Sequence, residues 1–481
     1  MGELSRRRRL LVLAICCMSL LIVGLDNTIV NVALPSIRRE LGASVSNLQW
    51  TIDAYTLVLA SFLMLSGSTA DRIGRRRIFQ IGLTLFSVGS LLCSIAPNVQ
   101  WLILFRAMQA IGGSMLNPVA MSIITNTFTN PKERAQAIGV WGGVVGISQA
   151  LGPIVGGILV DSIGWRSIFW INVPIGIAAI ILTALFVPES KALRPRRIDP
   201  IGQFLVIISL ATLTYAIIEA PNFGWTSVRI IGLFVVAILA VAGLILYERR
   251  CREPLIDVRF FRSIPFSGAT IIAICAFASM AGFLFVNTLY LQDVRGYSAF
   301  AAGLYTLPMA LMTMFFAPLS GRIVGSRGPR IPLLVAGSGG LACALILTGL
   351  TSSTSTLLLI SAYVLFGIGF GMVNAPITNT AVSGMPLQQA GVAAAVASTS
   401  RQIGQSLGVA VIGSVVTGSI HGSLQTGLPS ASHIAWWIIA GCEVVIFCLG
   451  LLTTGRWARR TATATMTQLA PEESLTGSAV R

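Results

Sequence analysis

Residues 6–34 read RRRRLLVLAICCMSLLIVGLDNTIVNVAL. Four arginines lead straight into an apolar run, 10–34, whose only charged side chain is Asp26. About 20 apolar residues cross a bilayer, so the run reads as a membrane span. It is too long for the apolar core of a signal peptide, holds an acid and has no A-x-A cleavage site, so it reads as an uncleaved first helix. A carboxylate at bilayer depth costs roughly 2.5–3.5 kcal/mol on insertion scales and therefore has a partner or a task.

The pattern continues outward from this run. The chain has 481 residues, 54% hydrophobic and 10% charged, where a soluble domain is about 25% charged. Fourteen apolar spans follow one another: 10–34, 48–69, 78–95, 101–124, 137–160, 167–187, 201–219, 228–246, 266–290, 301–323, 331–350, 357–378, 392–416 and 435–452. Of the 33 lysines and arginines, 26 fall on the side that carries the N-terminus. Arg38, Arg39, Arg166, Arg229 and Arg295 fall on the other, and Arg106 and Arg401 lie within spans. This asymmetry follows the positive-inside rule, so both termini are expected in the cytoplasm and the number of spans is even. A net charge of +16 distributed this way sets topology and gives no reason to expect nucleic acid. The two lysines, Lys132 and Lys191, follow no glycine-rich turn, which excludes a phosphate-binding G-x-x-x-x-G-K-[ST] loop and ATP-driven pumping by this chain alone. Eight scattered cysteines form no metal or disulfide spacing.

An internal repeat sets the architecture. ISQALGPIVGG at 147–157 aligns with IGQSLGVAVIG at 403–413, at an offset of 256. Gly67, Gly74 and Arg76 align with Gly321, Gly328 and Arg330, and Gly113 and Pro118 with Gly371 and Pro376, at nearly the same offset. The shift spans eight helices, so two extra helices separate two six-helix halves. The expected units are an N-terminal bundle (1–190), two inserted helices with charged linkers (191–262), a C-terminal bundle (263–456) and a polar, disordered tail (457–481). The linker stretches 189–200 and 248–265 read as topology determinants or as amphipathic segments on lipid headgroups.

Four motifs carry a resemblance. GSTADRIGRRR (67–77) resembles the loop G-x-L-A-D-R-x-G-R-[KR] of the major facilitator superfamily, with Gly67, Asp71, Arg72, Gly74, Arg75 and Arg77 as a cytoplasmic gating cluster. LFRAMQAIGG (104–113) is similar to the family's R-x-x-Q-G-x-G motif, with Ala110 in place of a glycine; the resemblance ties Arg106 to proton coupling. SQALGPIVGG (148–157) resembles the antiporter motif G-x-x-x-G-P-x-x-G-G, in which Ser148, Gly152, Pro153, Gly156 and Gly157 form a close, bendable contact and imply export. LDNTIVNVALP (25–35) resembles the signature of the fourteen-helix drug:proton antiporters, and WRSIFWINVPIG (165–176) supports that subgroup.

The resemblance implies an all-α major facilitator fold: two six-helix bundles plus two central helices, in a bacterial inner (plasma) membrane, acting as a monomer. It implies no enzyme and no cofactor beyond the proton as coupling ion. The expected activity is proton-coupled export of drugs, antibiotics or other small amphipathic toxic compounds by alternating access; the alternative is a narrow proton-linked exporter of an endogenous metabolite. Asp26 is the leading proton carrier, with Arg106 and Asp53 beside it. Burial and a neighbouring arginine act in opposite senses on a carboxylate's charge. Substrate-wall candidates, placed by helix position and analogy, are Asn31, Trp50, Tyr55, Gln109, Asn117, Trp141, Gln149, Tyr290, Asn374 and Gln405. Asp53 near the outer end of its span reads equally as a functional or a solvated acid. Glu219 reads as a solvated helix end, and Glu443 as a lipid-side or structural acid or a contact for cationic drugs. Arg401 is expected to face the cavity or the interface between halves.

Overall fold

The structure, a computed structural model, describes residues 5–192, 199–251, 254–383, 385–386 and 389–469. The N-terminal bundle holds α1 (Arg6–Leu41), α2 (Val45–Ile73), α3 (Arg75–Ser94), α4 (Val99–Thr127), α5 (Pro131–Ser162) and a span broken into α6 (Ser167–Trp170) and α7 (Asn172–Phe186). The pair α8 (Pro200–Phe223) and α9 (Val228–Glu248) follows. The C-terminal bundle holds α10 (Ile264–Leu289), α11 (Ala299–Arg327), α12 (Arg330–Leu347), α13 (Thr356–Val382), α14 (Ala390–Ser419) and α15 (Leu424–Leu452). A wide helical turn, Tyr290–Val294, continues α10. Helix starts coincide with capping side chains: Ser5, Ser44, Asn98, Ser227, Ser298, Ser355 and Ser423 each accept from a backbone N–H three residues ahead.

Twelve helices among the described residues are long and apolar enough to cross a membrane. The two other expected spans fall on α5 and α14, continuous helices of 32 and 30 residues. These hold the two copies of the internal repeat and are rich in glycine, alanine, serine and glutamine. Large apolar side chains such as Ile238, Leu239 and Leu246 lie exposed on α9, as lipid contact requires and water does not favour. The tail departs from expectation. Residues 457–469 belong to a helix, α16 (Arg456–Leu469), whose Ala458, Ala462, Thr465 and Leu469 fall on one buried face against α10; that spacing is a helical stripe hidden in a polar composition. The expected tail beyond 469 lies outside the described residues, as do 193–198 and 252–253 of the linkers.

Each bundle packs on itself, and the bundles meet through α5 against α11 and α2 against α14. The contacts concentrate at the ends remote from the N-terminus. Arg38 pairs with Asp293 at 3.3 Å, and Gln292 Nε2 donates to the Val32 carbonyl at 2.8 Å. Asp161 on α5 accepts from the backbone N–H groups of Ala299 (3.1 Å) and Phe300 (2.8 Å), so it caps α11 across the interface. Gln49 donates to the carbonyls of Val409 and Ala410, both at 3.1 Å. Towards the N-terminal side, by contrast, Cβ atoms added at Gly139 and Gly143 of α5 or Gly391 of α14 would meet nothing within 4 Å.

The inserted pair sits at the seam beside α2 and α14. Glu219 is not a merely solvated end: it accepts from Trp50 Nε1 and from Asn222 Nδ2, each at 2.9 Å, and so pins α8 to α2. Ser414 of α14 donates to the Ile217 carbonyl at 2.7 Å on the other side.

Candidate functional site

Asp26 lies on α1 and is fully buried. Three donors from two other helices converge on it. Arg106 of α4 reaches Oδ2 at 2.5 Å; Gln109, one turn on, reaches Oδ1 at 2.9 Å; Asn172, at the start of α7, reaches Oδ1 at 3.1 Å. Residues three apart on a helix share a face, which is why Arg106 and Gln109 arrive together. Arg106 is 1% exposed. It also donates to Gln109 Oε1 at 2.7 Å and, through Nε, to the Thr51 carbonyl at 3.2 Å. The Tyr55 ring lies 4.2 Å beneath its guanidinium. Ser90 ties the amides together, accepting from Gln109 at 2.7 Å and Asn172 at 3.0 Å.

The donors suit an ionised carboxylate, which only accepts. A proton on Asp26 makes it a donor on one oxygen and cancels its charge against Arg106. The added O–H then needs an acceptor of its own and weakens the contact at the oxygen that carries it. Taking one member away from a buried ion pair costs about 3–5 kcal/mol, and the groups that hold this pair lie on α1, α4 and α7. Asn172 and Ser90 were not singled out from the sequence as site residues. The available signal was an amide at the entrance to an otherwise apolar span.

Asp53 is also fully buried, which removes the solvated reading. Its Oδ1 accepts from Thr56 at 3.3 Å, Oδ2 has no partner, and it faces Ser406 of α14 across the interface. Glu443 is 5% exposed and points inward, filling the hollow left by Gly340, so it is not a lipid-side acid.

The antiporter motif packs without room for side chains. A Cβ on Gly152 would overlap Thr28 of α1, one on Gly156 would come 2.6 Å from Ile29, and one on Gly157 would come 2.5 Å from the Cα of Phe300 on α11. Ser148 is buried at the same α1 face, against Gly24. The Pro153 carbonyl packs against Gly303. One strip of α5 thus touches both α1 of its own bundle and α11 of the other.

The 67–77 loop closes on the segment after α7. Arg75 donates to Asp71 Oδ1 at 3.1 and 2.8 Å. Gly74, at φ 133°, makes the turn, in a conformation an L side chain rarely adopts. The Glu189 carboxylate fills the space beside it, accepts from the Arg76 N–H at 3.1 Å and lies 3.8 Å from Arg77. Arg72 lies in the last turn of α2 and Gly67 earlier in that helix, where an added Cβ would meet Pro118 of α4 at 3.8 Å. Glu189 is the partner that motif spacing could not reveal, because it is distant in sequence.

The wall candidates separate. Asn117, Trp141, Gln149, Asn374 and Gln405 are half-buried, and Asn117 Oδ1, Trp141 Nε1 and Gln405 Oε1 have no partner. Gln109 and Tyr55 are built into the Asp26 network instead. Trp50 is held by Glu219, and the Asn31 amide donates to the Asn27 carbonyl at 3.2 Å. Tyr290 lies buried far from the opening, with its hydroxyl donating to the Thr351 carbonyl at 2.7 Å and accepting from Arg295 at 3.2 Å.

Comparison with known proteins bears on this arrangement. Residues 16–409 match the Major Facilitator Superfamily. The chain is 37% identical over 425 residues to the multidrug resistance protein Stp of Mycobacterium tuberculosis, covering 88% of this chain and 79% of that one. It is 38% identical over 397 residues to the tetracenomycin C resistance and export protein of Streptomyces glaucescens, covering 82% and 73%. Its fold superposes on a bacterial homologue of the human lysosomal transporter Spinster with a TM-score of 0.63 at 19% identity, covering 98% of this chain and all of that one. A polytopic helical protein of two packed bundles with this match along its length belongs to the major facilitator superfamily and is a transporter, not an enzyme.

Proposed function

We propose that the chain is a proton-coupled antiporter that exports drugs, antibiotics or similar amphipathic toxic compounds across a bacterial plasma membrane, acting as a monomer. It crosses the membrane fourteen times with both termini in the cytoplasm. The placement of α5 and α14 as full-length helices within the bundles supports the count, and the arginine asymmetry supports the orientation. Contact between the bundles at the far ends then corresponds to a conformation open to the cytoplasm.

The observation that carries the reading is the buried Asp26–Arg106–Gln109–Asn172 cluster next to the α1–α5 contact. Protonation of Asp26 loosens one donor, α1 shifts against α5, and the α5–α11 contact on the same strip of α5 responds. Export by the relatives, whose names record drug resistance, agrees with this direction. The driving force is sufficient: a tenfold proton gradient is worth about 1.4 kcal/mol and 100 mV adds about 2.3 kcal/mol per net charge moved. Resistance conferred on a drug-sensitive host and lost on adding a protonophore tests the proposal; resistance that survives the protonophore contradicts it. The same panel separates broad efflux from narrow export of one metabolite.

A further inference from the structure

Arg106 and Arg401 are the two arginines within the expected spans, and their surroundings differ. Arg106 is matched by Asp26. Arg401, on α14, has no carboxylate paired with it among the described residues. NH1 donates to Ser398 Oγ at 3.3 Å and NH2 to Thr378 Oγ1 of α13 at 2.6 Å, while Nε is buried without a partner. The Phe277 ring of α10 lies 5.9 Å away. Asp53, the acid on the facing helix, faces Ser406, five residues further along α14, and makes no ion pair with Arg401 among the described residues.

Arg401 stands eleven residues into α14, about 16 Å from its start. There it shares a face with Gln405, one turn on, and Gln402 is its neighbour; all three are half-buried, and both glutamine Oε1 atoms lack partners. Such a group at bilayer depth does not face lipid. The adjoining Gly404 and Gly408, on the same side of α14, pack on the Ile274 and Ala278 backbone of α10, so Arg401 sits where α10, α13 and α14 meet, with its exposed part left to the opening between the bundles.

From this geometry we infer that Arg401 is a substrate-recognition residue for organic anions: an aromatic body carrying a carboxylate, sulfonate or ionised phenol, with the anionic group on the guanidinium and the rings towards Phe277. The inference rests on the exporter reading above. An arginine inside a membrane protein needs a counter-charge, and here the ligand supplies it. Exchange of one anion outwards for one proton inwards moves two charges in the same sense, so anion export is more voltage-dependent than export of a matched neutral compound.

The test uses inside-out vesicles holding the full chain, an imposed proton gradient, and three probes sharing one aromatic body: 2-naphthalenesulfonate, 2-naphthyltrimethylammonium and 2-naphthylmethanol. The wild type concentrates the sulfonate. Arg401→Gln lowers the sulfonate-to-ammonium flux ratio roughly tenfold or more, the scale of a lost charge-assisted contact, and Arg401→Lys restores part of it. Wild-type uptake of the ammonium probe but not the sulfonate, or an unchanged ratio in Arg401→Gln, overturns the anion assignment while leaving the exporter reading intact. Gradient-independent or absent flux of every probe overturns the exporter reading and this inference with it.

Discussion

At the scale of single residues, the Asp26 cluster is buried and its two charges are matched. Asp26 accepts from three side chains and Arg106 donates to three oxygens, so no member changes state alone. Asn172→Val removes one donor while leaving the Asp26–Arg106 pair. A hydrogen bond to a charged group contributes about 1.5–3 kcal/mol, so proton-driven efflux by this variant should fall by about tenfold or more with the protein still folded; efflux assays in inverted vesicles measure it. Asp26 and Arg106 were legible in the sequence because a charge inside an apolar run stands out. Asn172 and Ser90 were not, because an uncharged polar residue there is unremarkable until the helices are brought together. Glu219 misled, and Glu443 stayed open between readings, for a related reason. Position along a span gives depth but not direction, and only packing shows that one reaches Trp50 and the other fills a glycine hollow.

At the scale of helices, close approach is the recurring device. Gly152 is small because Thr28 occupies the space a side chain would need. Gly152→Val pushes α5 off α1 and should abolish transport; it also lowers stability by the 1–3 kcal/mol typical of overpacking, measurable as a fall in melting temperature in detergent. A variant with unchanged transport would place the coupling elsewhere. Asp161 makes the reciprocal case between bundles. Asp161→Ala leaves two N–H groups of α11 without their acceptor and removes a favourable charge from a helix start, worth about 1 kcal/mol. Spin-label distances across the Arg38–Asp293 ends should then shift towards the separated state by about fivefold in population. Glycine spacing made the α5 contact readable in advance. The α16 helix was hidden by its polar composition, and the Glu189 clamp by its distance along the chain from the loop it holds.

At the scale of the whole molecule, two bundles are joined at one end and parted at the other, the arrangement that the proposed alternating access requires. The joined end is held by Arg38–Asp293, Gln292 and Asp161, and the seam is bridged by α8, which holds α2 through Glu219 and α14 through Ser414. The joined end runs through α5 against α11, and α5 is also packed against α1, the helix that carries Asp26. The most direct test places purified protein in vesicles and records proton movement together with export. Wild-type protein should move protons inwards as substrate leaves, and export should stop when pH and voltage differences are removed. Asp26→Asn should bind substrate yet show neither movement. Equal export by wild type with no gradient, or gradient-driven export by Asp26→Asn, would contradict the account.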